Sequence, residues 1–189
     1  MKSQTRVAWV VALGIAIRAL AQDAPSFQAS VVPGFSVHSP DQKIEGLTLS
    51  LWGENPQQAF SFGLVNGSTG SSEGFSLGLV NYAESYGGVH WGLVNATSGD
   101  FVGWQGGPLC GLVGSVVNFT GGKMNGFQSG VVNLAGTLSG LQLGVVNYAQ
   151  RAESGVQIGV VNFIAENNGW FTRWPHEVAP GMLLVNWRF

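Results

Sequence analysis

The chain has 189 residues, of which only 10% are charged, with eight basic and ten acidic side chains and a net charge of −2. Ordinary soluble domains carry roughly a quarter charged residues, so an ordinary soluble surface is not built from this composition, and nothing in the charge recommends a nucleic-acid partner. Twenty-nine Gly, eleven Phe and seven Trp, with little helical periodicity, point to strands and tight turns.

Residues 1–21 read as a secretory signal peptide. Lys2 and Arg6 precede an apolar run of 11 residues, 7–17, and Ala19-Leu20-Ala21 supplies a small-x-small cleavage site. The run falls short of the roughly 20 apolar residues a membrane-spanning helix needs, and Arg18 ends it. Cleavage near Ala21 removes three basic groups, leaving five against ten acidic ones, a net charge of about −5. No Cys follows that site, which argues against a lipoprotein. Cys110 is the single cysteine, so no intramolecular disulfide forms; in an apolar context it reads as a small buried side chain.

Residues 22–58 form lead-in strands. The stretches 27–37 and 44–52 have strand character, and in the second Leu47, Leu49 and Leu51 share one face. Pro33-Gly34 breaks the first, and Ser39 to Gln42 turns into the second.

Residues 59–163 are a repeat region. The block recurs at 60–66 (FSFGLVN), 75–81 (FSLGLVN), 89–95 (VHWGLVN), 112–118 (LVGSVVN), 127–133 (FQSGVVN), 141–147 (LQLGVVN) and 156–162 (VQIGVVN), with a shortened ending at 182–186. The closing residues Asn66, Asn81, Asn95, Asn118, Asn133, Asn147, Asn162 and Asn186 lie 15, 14, 23, 15, 14, 15 and 24 apart. In the first long gap, 104–110 (WQGGPLC) reads as a degraded copy. A short fixed period marks a fold whose units bury themselves against their neighbours. Positions one, three and five are mostly large and apolar, whereas Ser61, Ser76, His90, Gln128, Gln142 and Gln157 hold position two. Residues 164–189 hold a long connection and a last strand, all of 22–189 being one domain.

Two all-β architectures fit. In an antiparallel up-and-down β-barrel, each repeat is one strand of about 9–11 residues plus a turn, the apolar face meets lipid, and the position-two residues line a narrow lumen. In a parallel β-solenoid, each repeat is one coil and the Gln and Asn side chains stack in ladders. Phe75 and Tyr82, seven apart, face opposite ways along a regular strand, so the barrel requires a bulge at Gly78.

The last nine residues, GMLLVNWRF, alternate Leu183, Val185, Trp187 and Phe189 on one face. This resembles the C-terminal signal strand of Gram-negative outer-membrane barrels, with Leu184 where that motif has Gly, and the resemblance favours the barrel, of roughly 10–12 strands by comparison with barrel sizes. It implies the barrel-assembly machinery and outer-membrane lipid as partners. The tandem blocks also resemble bacterial surface repeat proteins built from GLQLGLVN-type units, which implies an outer-membrane or cell-surface location and brings no catalytic residues.

Chemistry is sparse. His38, His90 and His176 lack converging metal partners, no nucleophile elbow or phosphate loop is present, and no carboxylate pair recurs. We expect no enzyme activity, no metal and no cofactor. The 165–180 connection, with Trp170, Phe171, Arg173, Trp174, His176 and Glu177, is the one aromatic and charged cluster outside the repeats, and reads as an interfacial anchor or a contact loop. The expectation is an exported outer-membrane or surface repeat protein with a structural, narrow-pore or adhesive role; the alternative is a soluble exported solenoid acting as an interaction module.

Overall fold

The computed structural model describes residues 24–109 and 112–189; the expected signal peptide and Cys110 lie outside them. Among the described residues every regular element is a strand. They are β1 (Phe27–Val32), β2 (Phe35–Ser36), β3 (Leu47–Glu54), β4 (Gln58–Leu77), β5 (Val80–Trp91), β6 (Val94–Thr97), β7 (Phe101–Gly106), β8 (Pro108–Leu109), β9 (Leu112–Val113), β10 (Ser115–Ile164) and β11 (Gly181–Arg188).

The all-β expectation holds, and the pairing direction differs from the barrel. Val65 and Asn66 pair in parallel with Val80 and Asn81, these with Val94 and Asn95, and these with Val117 and Asn118. Consecutive repeats are therefore stacked coils rather than antiparallel staves, which is the arrangement of the solenoid alternative. The reason is geometric. Strands that alternated in direction would put the asparagines of successive repeats at opposite ends, whereas parallel stacking sets each one directly over the last.

Each coil is two straight runs joined by bends. Around Asn95 the runs are β6 and β7, with bends at 92–93 and 98–100. One coil earlier the chain bends at Gly78 and Leu79, so a corner, rather than a bulge, turns Phe75 and Tyr82 onto different sides. Glycine is required there because coil backbones nearly touch. A Cβ on Gly144, in the equivalent corner, would sit 2.1 Å from the Gly130 carbonyl oxygen. A second glycine column precedes position one; Gly140 has φ +141 there, and its Cβ would lie 2.1 Å from the Gly126 oxygen.

The 23-residue gap holds one coil where the repeat alignment suggests two. Trp104, Gln105 and Gly106 pair with Val89, His90 and Trp91 and supply its first half. Ser115 to Asn118 supply the second, and between these halves Pro108 and Leu109 pair antiparallel with Val113 and Leu112 as a small hairpin. The repeat at 112–118 is thus corrected: its opening residues belong to the hairpin.

Both ends are closed by reversal. At the start, β1 runs parallel to β3 and β2 folds back antiparallel on β1. At the finish, β11 returns antiparallel over the last coil, with Val156 opposite Trp187 and Gln157 opposite Asn186. Asn186 is accordingly corrected as a repeat asparagine. Because the strand runs backwards, it covers the glutamine column instead of extending the asparagine one.

Inside, a small apolar core of Tyr86, Phe101, Met124 and Leu138, with Ala83, Ala135, Ala149 and Ile164, fills one side of the stack. Burial of each larger side chain contributes roughly 1.5–3 kcal/mol. Ile44, Ala59, Ala152, Val178 and Ala179 are buried as well, and most of the remaining interior is polar.

Candidate interaction surface

The position-two and asparagine columns account for the polar interior. From Asn66 to Asn162 each amide nitrogen donates to the next asparagine's Oδ1, at 2.7 to 3.0 Å. Its second hydrogen goes to a main-chain carbonyl at position three of the following coil: Leu77 for Asn66, Ser129 for Asn118, Leu143 for Asn133 and Ile158 for Asn147. Gln157 donates to Gln142, Gln142 to Gln128 and Gln128 to Gln105, at 2.7 to 2.8 Å. The glutamines also reach across the coil, to the carbonyls of Phe163, Tyr148 and Leu134. In most rungs the amide thus has partners for both its donors and its acceptor, which offsets the cost of burial; the Gln157 oxygen, at the end of its column, is buried without one.

Ser61, Ser76, His90, Gln128, Gln142 and Gln157 all lie on the inner face, each at most 1% exposed. They do not line an open lumen. The glutamines bridge to the opposite run, so the two walls are too close to leave a passage, and the lumen assignment is corrected to a cross-braced core. Gln105 and Gln28 belong to the same column. Gln105 was legible as the second residue of the degraded copy, whereas Gln28 has no repeat around it to reveal it.

His90 interrupts the column. Its ring sits 4.1 Å from that of Tyr86 and 5.2 Å from that of Phe101, centroid to centroid, and neither nitrogen has a hydrogen-bond partner. Burial without a partner holds its pKa down to about 3 and pushes the Tyr86 phenol up. This is a neutral core histidine. Among the described residues no three metal-ligating side chains converge.

Outside, each coil has two chemically different ends. Positions one, three, five and eight surround the Gly corner and carry Phe60, Phe62, Leu64, Leu77, Leu79, Leu143, Val145, Ile158 and Val160, along with Phe119, Tyr148 and Phe163, all exposed. Phe60 is 59% and Val160 57% exposed, and stacking aligns these positions in rows, interrupted at position three by Gly106 and Ser129 and at position eight by Gly67 and Ala96. The six charged residues of the repeat region, Glu73, Glu84, Asp100, Lys123, Arg151 and Glu153, all fall between position nine and the start of the next block. Stacking therefore gathers them at the opposite end of each coil. Over the repeat region the stack is thus amphipathic, with apolar rows at one end of the coils and charge at the other.

The C-terminal strand keeps part of its expected pattern. Leu183, Val185 and Phe189 are exposed, while Trp187 is half-buried. Leu184 has φ 66, a left-handed conformation that fits Gly better. The 165–180 connection folds over the outer edge of this strand. Val178 N donates to the Trp187 carbonyl, Trp187 Nε1 to the Pro175 carbonyl, and Arg188 to the buried Glu177 at 2.8 Å. Trp170, Phe171 and Trp174 remain exposed beside it.

Compared with protein-family models, curated proteins and solved structures, the chain matches none of them.

Proposed function

We propose that this chain is an exported, non-catalytic β-repeat protein of the Gram-negative outer membrane or cell surface, a structural or adhesive scaffold whose apolar rows rest on lipid. The observation that carries the reading is the separation of the two sides: exposed Phe, Leu, Ile and Val rows around the Gly corners, and all repeat-region charge opposite them. An apolar strip of this kind against a charged back is the pattern of elements that lie in a membrane interface, where binding scales with buried apolar area. Tyr82, Tyr148, Trp91 and Trp104 stand among or beside these rows, and such residues favour the interfacial zone.

The packed interior supports leaving the narrow-pore role aside. A stack of coils also has no barrel to close, so this reading makes no use of the barrel-assembly machinery. The test is flotation of the purified mature chain with phospholipid vesicles on a density gradient. Co-migration with the vesicles is expected; a chain that stays at the bottom at low and high salt alike would retire the lipid reading.

A second reading keeps the same surface and changes its occupant. The parallel coil stack supports an exported interaction module that docks a protein through its apolar rows. Recovery of the native protein in the soluble exported fraction would favour it.

A further inference from the structure

The hairpin at the start of the stack has an unusual tip. β1 and β2 join through Pro33-Gly34, with Gly34 at φ +85, and such turns are ordinarily surrounded by polar residues. Here Val31, Val32, Phe35 and Val37 flank the turn, and Phe35 is 72% and Val37 64% exposed. Among the described residues nothing covers these side chains.

Beneath the hairpin is a cleft of about 700 Å³, with Val31, Phe35 and Val37 on one wall and Leu49, Leu51 and Phe62 on the other. That volume lies in the range of about 300–1,000 Å³ typical of small-molecule sites. Among the described residues no charged side chain lines it, and its polar lining comes from Ser30, Ser36 and Ser50. Leu49, Leu51 and Phe62 also occupy positions three, five and three of their coils, so the cleft opens directly onto the apolar rows described above.

We propose that this cleft holds one acyl chain of a membrane phospholipid, with the hairpin tip dipping into the bilayer beside it. The inference rests on the lipid reading of the apolar rows. The chemistry follows from the lining: an uncharged, mostly apolar slot continuous with the apolar rows accepts a hydrocarbon chain and leaves its polar headgroup outside.

The test is a titration of the mature chain with a phosphatidylcholine that carries one fluorescently labelled acyl chain, below its aggregation concentration. Saturable one-to-one binding is expected. It should weaken at least tenfold in L49Q/F62Q, whose positions are exposed and tolerate polar replacement, as checked by unchanged circular dichroism. A control pair far along the stack, L143Q/I158Q, should reduce vesicle flotation and leave the titration unchanged. Absence of saturable binding in the wild type, or equal loss in both pairs, overturns the cleft. Saturable binding by a chain that fails to float upholds the cleft and removes the wider membrane reading.

Discussion

Gln142 and Asn147, five residues apart in one coil, donate their amide hydrogens in opposite directions along the stack. Gln142 gives to Gln128, toward the start of the chain, and Asn147 gives to Asn162, toward its end, both at 2.7 Å. Aligned amides polarise one another; the two columns oppose each other between Gln105 and Gln157, while the longer asparagine column continues alone toward the start of the stack.

Replacing one member should unsettle its neighbours more than itself. Asn147→Ala leaves Asn162 Oδ1 and the Ile158 carbonyl without their donor and deprives Asn133 of its acceptor. With unsatisfied buried groups costing roughly 1–3 kcal/mol each and not adding fully, the expected loss is about 3 kcal/mol in urea unfolding. A loss below about 0.5 kcal/mol, the scale of ordinary surface changes, would show that the ladder contributes little.

The two kinds of glycine should separate cleanly. Gly144→Ala forces a methyl group to 2.1 Å from a backbone oxygen, which stacked coils cannot relieve, and should cost about 3 kcal/mol or more, the upper end of overpacking effects. Gly87→Ala meets only the Glu73 Cβ, at 3.7 Å, and should be neutral or stabilise by about 0.4–1 kcal/mol through the unfolded chain. Equal outcomes in thermal melts would contradict the coil spacing.

His90 makes stability depend on acid. Its folded pKa, about 3, lies below the ordinary 6.5, so the unfolded chain binds the proton first. Above pH 6.5 the two states carry the same charge there and no penalty exists. As pH falls from 6.5 toward 3, stability should drop by roughly 1.4 kcal/mol per unit from this group, levelling off below. Unfolding of wild type and His90→Gln compared at pH 7 and pH 4.5 reads this directly: the variant should escape most of the decline, and parallel declines would assign the acid sensitivity elsewhere.

The side-chain sorting was legible from residue types alone, and the course of the chain was not. Period-two alternation put Leu143 outside and Gln142 inside, as the structure has them, because alternation is the same in a barrel stave and in the straight run of a coil. A length of 14 to 15 residues likewise suits a membrane strand with its turn or one coil with two bends. The discriminating signal was the identity of the inward residues. Asparagine repeated from Asn66 to Asn162 is useful where each can bond the next, which demands parallel, in-register neighbours, whereas the C-terminal resemblance weighted a strand that in fact turns back as a lid. The column of Tyr86, Phe101, Met124 and Leu138 escaped notice because its residue type changes from coil to coil.

Leu143→Arg distinguishes surface from interior. Leu143 is 44% exposed, so the folded chain should accept the guanidinium with a stability change within about 0.5 kcal/mol, while vesicle flotation should fall. Severe destabilisation in solution would mean that this row is covered by another part of the chain.

The lid should depend on its ion pair. Arg188 meets Glu177, whose side chain is 4% exposed, at 2.8 Å, and also approaches Glu166 at 3.6 Å. Arg188→Ala leaves the Glu177 carboxylate only the Asn168 N–H and the more distant Arg173 and should cost roughly 1.5–3 kcal/mol, the scale of a hydrogen bond to a charged group. Proteolysis should then cut the 165–180 connection first; a cutting pattern identical to wild type would separate the lid from the pair.

Asn95 and Asn118 bond at 2.9 Å although 23 residues separate them. The stack thus closes over a foreign segment as if it were not there, which makes its architecture indifferent to what is spliced in at that corner. By the same logic, duplicating one 15-residue unit would lengthen the molecule by a single rung of about 4.8 Å, so that height can be varied in whole steps while every cross-section stays the same.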